Sequence, residues 1–301
     1  MNSMINFSII IPHRNIPALL ERLINSIPVR NDLEIIVVDD CSDANAIDQL
    51  RSIERHNLTL VLNQECHGAG YARNCALPLT KGEWVLFADS DDFFNLGFND
   101  FLNEYTDSDA DIVYFNANSV DTDTYEPSNR VDHLHGFIEE YHKDKNKGEL
   151  IMRYLFTEPW CKMVKREIIE SHHIKFEETS IRNDVRYSYL VGHYAAKIIV
   201  DDRQLYCVTT RQNSVSRGKG YQAALDELKV FAGWKKFFID HQIPLDLPKF
   251  DLCAYNFTRH LWKDNKLFRV EYAIMREGGL SHTFIIGQIL KYIYISMSYK
   301  I

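Results

Sequence analysis

Three carboxylates, Asp89, Asp91 and Asp92, follow directly on the apolar run at residues 83–88. The run is short and rich in aromatic and aliphatic residues, which is typical of a buried strand. Carboxylates this close repel one another and raise one another's pKa unless a cation or hydrogen-bond donors hold them ionised. Their oxygens suit Mg²⁺ or Mn²⁺, which favours a divalent metal site. The alternative is a polar loop in which one Asp caps the next helix, and the cluster alone does not decide.

The elements that would position these acids alternate between strand and helix patterns over the first 117 residues. Such alternation predicts an α/β fold, with a mostly parallel sheet and helices on both of its faces. Hydrophobic periodicity predicts strands at residues 7–12, 34–38, 58–62, 83–88 and 111–115, and helices at residues 16–27, 43–56 and 68–79.

Polar residues collect where three of the predicted strands end, at residues 12–15, 39–42 and 89–92. Ligands of parallel sheets bind outside the carboxyl ends of the strands. Each segment by itself is also ordinary turn chemistry, because Asp, Asn and Ser are common turn and cap residues. Three such ends together favour a ligand site at this edge of the sheet.

A glycine-containing loop, residues 67–70, precedes the predicted third helix and Arg73. The glycines would let the backbone approach a ligand, and the helix N-terminus with Arg73 would favour an anion. The loop lacks the spacing of a dinucleotide or nucleoside triphosphate fingerprint. The structural alternative is a softened helix start with Arg73 in a surface ion pair.

Composition limits the class of protein. The chain has 301 residues, with 46% hydrophobic and 25% charged residues, and a formal net charge of -8. An acidic balance argues against a nucleic-acid partner. The six cysteines contain no CxxC pair, which indicates neither a disulfide framework nor a zinc knuckle and fits a reducing compartment. The N-terminal residues 1–15 do not resemble a secretory signal, and no run approaches the roughly 20 apolar residues of a membrane span.

These motifs, taken together and in order, resemble the family 2 nucleotide-sugar glycosyltransferases of the GT-A type. The resemblance extends into the second half, where Asn183 stands in a motif that usually has Glu before the Asp. The segments that carry it are SIIIP at 8–12 with Asn15, EIIVVDDCS at 34–42, ARN at 72–74, DSDD at 89–92, PWCKM at 159–163, RNDVRY at 182–187 and the segment at 206–216.

The resemblance implies roles for residues that match the family's motifs. Asp184 would be the general base, and its place before an apolar helical pattern is equally that of a helix N-cap. Two departures are Arg14 in place of a common aromatic and Cys41 in place of a common Gly. The other implied roles are Asp40 accepting the uracil N3–H, Pro12 and Asn15 shaping the base pocket, Arg73 facing the donor, Asp89 near the ribose and metal, and Asp91 ligating the metal.

The function implied is an inverting, metal-dependent transfer of a sugar from a UDP-sugar to a glycan or lipid-linked acceptor, in capsule, O-antigen or exopolysaccharide synthesis. A catalytically silent nucleotide-sugar-binding or scaffolding protein is the alternative. Residues 1–117 would bind the donor, residues 118–220 would bind the acceptor and hold the base, and residues 221–301 would form a helical region.

Two segments are interpreted by composition alone. Residues 118–149 are rich in charges and histidines, which favours a solvated connection over a histidine metal site. Between residues 259 and 300 there are seven Lys or Arg and three acids, and residues 284–297 are mostly apolar. This favours either an interfacial helix on an anionic membrane or a helix packed on the body or in a homodimer. The predicted location is cytoplasmic, with peripheral contact at the inner face of the cell membrane.

Overall fold

The computed structural model describes residues 4–211, 220–246 and 264–298. The chain divides into two compact units. The first contains the described residues up to 178 and from 183 to 211, and the second contains residues 179–182 and the described residues from 220 onward. Residues 212–216, the end of the segment at 206–216, and the basic residues at 259, 263 and 300 lie outside the described residues.

The first unit contains one eight-stranded sheet. Its strands are β1 (Phe7–His13), β2 (Leu33–Asp40), β3 (Leu58–Asn63), β4 (Trp84–Phe87), β5 (Phe93–Phe94), β6 (Ile112–Asp121), β7 (Lys162–Lys165) and β8 (Ile198–Thr210). Every residue of β1, β2 and β4 is buried, as expected for strands covered on both faces.

The strands lie in the order β3-β2-β1-β4-β7-β6-β8-β5. β1, β2, β3 and β4 are parallel neighbours, and β6 is parallel to β8. β7 runs antiparallel to both β4 and β6, and β5 runs antiparallel to β8. The predicted α/β fold is therefore confirmed, with a mixed sheet whose parallel half carries the predicted donor motifs at one edge.

Helices connect these strands and continue into the second unit. In the first unit they are α1 (Pro17–Ser26), α2 (Ala44–Arg51), α3 (Ala69–Ala76), α4 (Phe98–Tyr105), α5 (Asp132–Lys143), α6 (Lys145–Tyr154), α7 (Arg166–Ser171) and α8 (Val185–Tyr194). In the second unit they are α9 (Tyr221–Asp240), α10 (Asn265–Glu277) and α11 (His282–Ser298). The predicted helical C-terminal region is confirmed. None of the described helices is long and apolar enough to cross a membrane.

The interpretation of residues 118–149 as a solvated connection is wrong. β6 continues to Asp121, and after residues 122–131 the segment contains α5 and the first half of α6. Leu134, Ile138 and Tyr141 are buried on one face of α5. Their helical spacing outweighs the many charges, because the charges lie on the faces that remain in water.

The cysteines also differ from the prediction, because a disulfide joins Cys41 and Cys66. The two residues are 25 positions apart, so no short sequence spacing indicates the pair. They meet because Cys41 follows the last residue of β2 and Cys66 lies in the loop between β3 and α3. Cys75, Cys161 and Cys207 are free thiols.

Candidate active site

A buried hydrogen-bond network joins the carboxyl ends of β1 and β2. His13 Nδ1 lies 2.8 Å from Asp39 Oδ1, and His13 Nε2 accepts a hydrogen bond of 3.1 Å from the backbone N–H of Ile16. Nδ1 therefore carries the ring proton and donates a hydrogen bond to Asp39. Asp39 also accepts hydrogen bonds from the backbone N–H and the hydroxyl of Ser42. The network fixes the two strand ends relative to each other.

The predicted base-pocket residue Asn15 is tied to the same network. Its backbone N–H donates to Ser42 Oγ, and its side-chain Oδ1 accepts from the backbone N–H of Asp43, each at 2.8 Å. Asn15 has φ 55°, a left-handed conformation that Asn tolerates better than most residues. Pro12, the other predicted pocket residue, is buried in β1.

Asp40 ends β2 with its carboxylate fully oriented by backbone donors. Oδ1 accepts from the N–H of His67 and Oδ2 from the N–H of Gly68, both at 2.8 Å, and the residue is only 4% exposed. Gly68 has φ +91°, which glycine adopts without strain. The anion held by the glycine-containing loop is thus the carboxylate of Asp40 itself. A carboxylate has about four acceptor positions and two are used here, so Asp40 can accept further hydrogen bonds.

Arg73 links the donor motifs to the second half of the sequence. Its guanidinium donates to Asp89 Oδ1 at 2.6 Å and to Asn183 Oδ1 at 2.9 Å, and it lies 5.2 Å from the ring centre of Phe176. Arg73 is buried, so the alternative of a surface ion pair is wrong. The contact places Asp184, the residue after Asn183, in the neighbourhood of Asp89.

The acids at 89–92 divide into two kinds. Asp91 pairs with Arg211 at 3.2 Å, and its backbone carbonyl accepts from Arg22. Asp92 is buried and accepts a 2.7 Å hydrogen bond from the backbone N–H of Thr209 on β8. The cap interpretation is wrong, because the next helix, α4, begins only at Phe98. The hydrogen bond of Asp92 links the loop after β4 to β8. Asp89 instead pairs with Arg73, and Asp91 pairs with Arg211.

The carboxylates of Asp89 and Asp91 fit a divalent cation. Burial, reinforced by the Asp89 carboxylate, raises the pKa of Asp91 against the opposing charges of Arg211 and Arg22. A further positive charge is therefore favourable at this position. Within residues 4–211, 220–246 and 264–298, no group of three or more His, Cys, Asp or Glu residues is arranged to hold a metal ion. Two carboxylates suffice for Mg²⁺ or Mn²⁺ where substrate phosphates supply the remaining oxygens.

Asp184 occupies the N-cap position of α8, but its side chain makes no capping hydrogen bond. Burial raises the pKa of this carboxyl to about 6; Arg73 opposes the shift, and Glu158 adds to it. The carboxylate thus takes up a proton more readily than an ordinary Asp, as a proton acceptor working near neutral pH should. Asp184 thus stands at the predicted helix-cap position, but its side chain caps no N–H among the described residues.

The sequence reasoning missed a second charged group beside Asp184. Glu158 Oε1 lies 2.9 Å from His133 Nε2. Burial acts to raise the pKa of Glu158, but the hydrogen bond and charge of His133 outweigh it and lower the pKa. Lys162 is buried, donates to the carbonyl of Phe156 at 2.7 Å, and has its pKa lowered by burial to about 7. The only signal for these groups was their place in or next to the motif at 159–163.

The model of the family described as glycosyl transferase family 2 matches residues 8–172, more than half of the chain. The chain belongs to this family. The match contains β1 to β7 and the residues Asp40, Arg73, Asp89 and Asp91, whereas Asp184 lies beyond it.

Curated relatives match parts of the chain. Poly(ribitol-phosphate) β-N-acetylglucosaminyltransferase TarS of Staphylococcus aureus is 37% identical over 99 residues, which cover 31% of this chain and 17% of the relative. UDP-Glc:α-D-GlcNAc-diphosphoundecaprenol β-1,3-glucosyltransferase WfaP of Escherichia coli is 40% identical over 63 residues, covering 21% and 25%. The uncharacterised glycosyltransferase EpsJ of Bacillus subtilis is 26% identical over 231 residues, covering 73% and 65%. The match thus spans a quarter or less of the length of the first two relatives.

Solved structures share the fold. The crystal structure of S. aureus TarS 1-349 in complex with UDP-GlcNAc has a TM-score of 0.60 at 18% identity, covering 98% of this chain and 92% of that one. The mannosyltransferase PcManGT of Pyrobaculum calidifontis, in complex with GDP-Man and Mn²⁺, has a TM-score of 0.53 at 17% identity, covering 98% and 81%. At these identities the likeness shows the GT-A fold.

Proposed function

We propose that this protein is an inverting glycosyltransferase that moves a sugar from a UDP-sugar to a hydroxyl of a glycan or lipid-linked saccharide, in the synthesis of a bacterial surface polysaccharide. The observation that carries the proposal is the buried contact of Arg73 with both Asp89 and Asn183. Through it, one guanidinium connects the acids of the donor motif to the segment that holds Asp184. A pocket for nucleotide binding and a group for proton transfer thereby become parts of one site.

Donor binding is assigned to the ends of β1, β2 and β4. Asp40, oriented by two backbone donors, accepts the N3–H of uracil, and Pro12 and Asn15 border the base. Asp89 and Asp91 would hold Mn²⁺ or Mg²⁺, which as a Lewis acid would neutralise the negative charge of the diphosphate. The hydrogen bond from Arg73 orients the Asp89 carboxylate for this role.

Asp184 is assigned the proton transfer. As the acceptor hydroxyl oxygen bonds to the anomeric carbon, its proton passes to the Asp184 carboxylate, and the bond from the anomeric carbon to the diphosphate oxygen breaks with release of UDP. The attacking oxygen enters opposite the leaving group, so the configuration inverts. A single base is sufficient, since no covalent sugar–enzyme intermediate is formed.

The names of the relatives support the choice of substrates. One names UDP-Glc as donor and a saccharide on diphosphoundecaprenol as acceptor, and another names poly(ribitol-phosphate). A structural neighbour was solved with UDP-GlcNAc. From these we propose a UDP-sugar donor here and an acceptor hydroxyl on a surface glycan or its lipid-linked precursor.

The proposal is tested by titrating UDP-sugars into the protein with Mn²⁺ and with a chelator, and by assaying UDP release. We expect Mn²⁺-dependent binding that Asp91→Ala abolishes, because the variant loses a carboxylate of the cation site. Asp48→Ala is the matched control, since Asp48 is an exposed acid on α2 that pairs with Arg51. Binding without transfer to any acceptor would favour a silent nucleotide-sugar-binding protein, and absence of binding by any UDP-sugar would contradict the proposal.

We also propose a cytoplasmic protein in peripheral contact with an anionic membrane through α11. Ile286 and Leu290 are 49% and 61% exposed and lie one helical turn apart. Leu290→Glu should lower co-sedimentation with phosphatidylglycerol vesicles, whereas Val29→Glu, at an exposed Val elsewhere, should not. Equal pelleting of both variants would contradict membrane contact, and a Leu290→Glu variant that instead loses self-association would identify the face as a homodimer interface.

A further inference from the structure

A disulfide closes a covalent loop that begins directly after Asp40. Cys41 follows Asp40 directly, Cys66 directly precedes His67, and a disulfide joins the two cysteines with their Cα atoms 5.1 Å apart. The N–H groups of His67 and Gly68 are the donors that hold both oxygens of Asp40. The disulfide therefore ties the acceptor carboxylate to the segment that orients it.

The backbone on both sides of the disulfide is constrained. Cys41 has φ 58°, which residues other than glycine, Asn and Asp rarely adopt. The following Ser42 is held by Asp39 through its N–H and its hydroxyl. Such a conformation persists only where its surroundings impose it, and here the disulfide and the Asp39 network impose it together.

The disulfide is open to reagents in solution. Cys66 is exposed and Cys41 is half-buried, whereas the free thiols of Cys161 and Cys207 are buried. A small thiolate can therefore approach the sulfur of Cys66. Exposed disulfides are the ones that exchange readily with thiols.

We propose that the Cys41–Cys66 disulfide is a redox-sensitive positioning element for Asp40, so that its reduction weakens binding of the donor nucleotide while proton transfer at Asp184 is unaffected. This inference rests on the proposed function. In the reducing direction, two equivalents of a glutathione-class thiol convert the disulfide into two cysteine thiols and are themselves joined in a disulfide. The reverse reaction with glutathione disulfide restores the Cys41–Cys66 disulfide.

Reduction should act on affinity rather than on turnover. Once the disulfide is broken, the segment at residues 66–68 gains conformational freedom, which is lost again when the uracil of UDP binds. We expect the Kd of UDP in the presence of Mn²⁺, and the KM of the donor, to rise by about threefold to tenfold. The kcat at saturating donor should stay unchanged, because Asp184 lies on another segment and touches neither cysteine.

The experiment compares the full chain after oxidation with glutathione disulfide and after reduction with a phosphine. Alkylation and intact mass spectrometry count the free thiols in each state, and calorimetry measures the Kd of UDP with Mn²⁺. Cys66→Ser should bind UDP like the reduced protein in both states. Cys75→Ser is the matched control, because Cys75 is a free thiol on α3, and this variant should keep the redox response.

The outcomes separate this inference from the proposed function. Equal Kd values in the two states, with the disulfide verified by mass, would overturn the inference and leave the proposed function standing. Alkylation of both Cys41 and Cys66 in the oxidised protein would also overturn it. Absence of UDP binding in either state would overturn the proposed function first. Since wild-type protein is compared with itself, a variant that fails to fold does not prevent the test.

Discussion

Asp40 and Asp184 are two carboxylates of the same site in opposite environments. Asp40 is buried and has both oxygens hydrogen-bonded to backbone donors. Asp184 stands at a helix N-cap without a capping hydrogen bond, and burial together with Glu158 raises its pKa. A carboxylate held by two backbone donors is a fixed hydrogen-bond acceptor, whereas a carboxylate with a raised pKa takes up a proton more readily. In the proposed function, this difference separates binding of the uracil by Asp40 from proton transfer by Asp184.

The elements around the two residues follow the same division. Asp40 lies at the end of a buried parallel strand, tied to its neighbour through the contact of His13 with Asp39. Asp184 lies at the start of α8, near the His133–Glu158 pair and the buried Lys162. The strand ends assigned to donor binding are thus held by hydrogen bonds between loops, and Asp184, the proposed general base, is surrounded by charges that tune its proton affinity.

The strongest test of this contrast is the stability of Asp184→Asn. The folded-state pKa of Asp184 lies above its ordinary value of 3.8, at about 6, so its contribution to stability is fully present below pH 3.8 and lost as the pH rises through 6. Removing the charge should therefore raise the free energy of unfolding in urea at pH 8 by about 2 to 3 kcal/mol. The gain should shrink as the pH falls.

Asp144→Asn is the matched control for that measurement. Asp144 also stands at a helix N-cap, but its carboxylate accepts from the N–H groups of Asn146 and Lys147. Asn caps a helix about as well as Asp, so this variant should change stability little. Destabilisation by Asp184→Asn at pH 8 would show that its carboxylate is a satisfied cap and would remove the contrast with Asp40.

Asp40→Asn should have the opposite sign on stability and a large effect on binding. The amide NH₂ group would face the backbone N–H of His67 or Gly68. That N–H would lose its acceptor and stay without a hydrogen-bond partner. We expect the Kd of UDP to rise by about tenfold to a hundredfold, measured by calorimetry. Asp43→Asn, an exposed neighbour that caps α2, should leave the Kd unchanged. An unchanged Kd in Asp40→Asn would contradict the assignment of Asp40 as the acceptor of the uracil N3–H.

The smallest expected effect concerns the pH profile. Because the base must be deprotonated, kcat/KM of the wild type should rise about tenfold per pH unit below 6 and level off above it. Glu158→Gln removes a like charge, so this limb should move to lower pH by less than about one unit. Glu178→Gln, at an exposed acid bonded to Asn74, should not move it. A limb that moves to higher pH in Glu158→Gln would contradict the electrostatic role of Glu158.

Much of the donor edge could be predicted because its signals are local. Runs of apolar residues define β1, β2 and β4, and the polar residues that follow each run necessarily meet at one edge of a parallel sheet. The α/β fold followed from the same alternation. The glycine-containing loop was correctly placed before a helix, but its partner, the Asp40 carboxylate, depends on how two loops meet in space.

The remaining features depend on contacts between distant residues. The pair of His133 with Glu158 and the disulfide of Cys41 with Cys66 join positions 25 residues apart in each case. The antiparallel strand β7 inserts between β4 and β6, which no local pattern indicates. Asp92 has the same residue type as Asp91, and only its burial against β8 separates a structural acid from a proposed metal ligand.

The measurement that tests the account most directly is UDP release by Asp184→Asn at saturating donor and acceptor, with the Kd of UDP and Mn²⁺ determined on the same preparation. If Asp184 is the base and the donor edge is separate from it, kcat falls by about a thousandfold while the Kd stays within about twofold of the wild-type value. Full turnover in Asp184→Asn, or a Kd that rises while kcat falls, would contradict the division between a binding carboxylate and a reacting one.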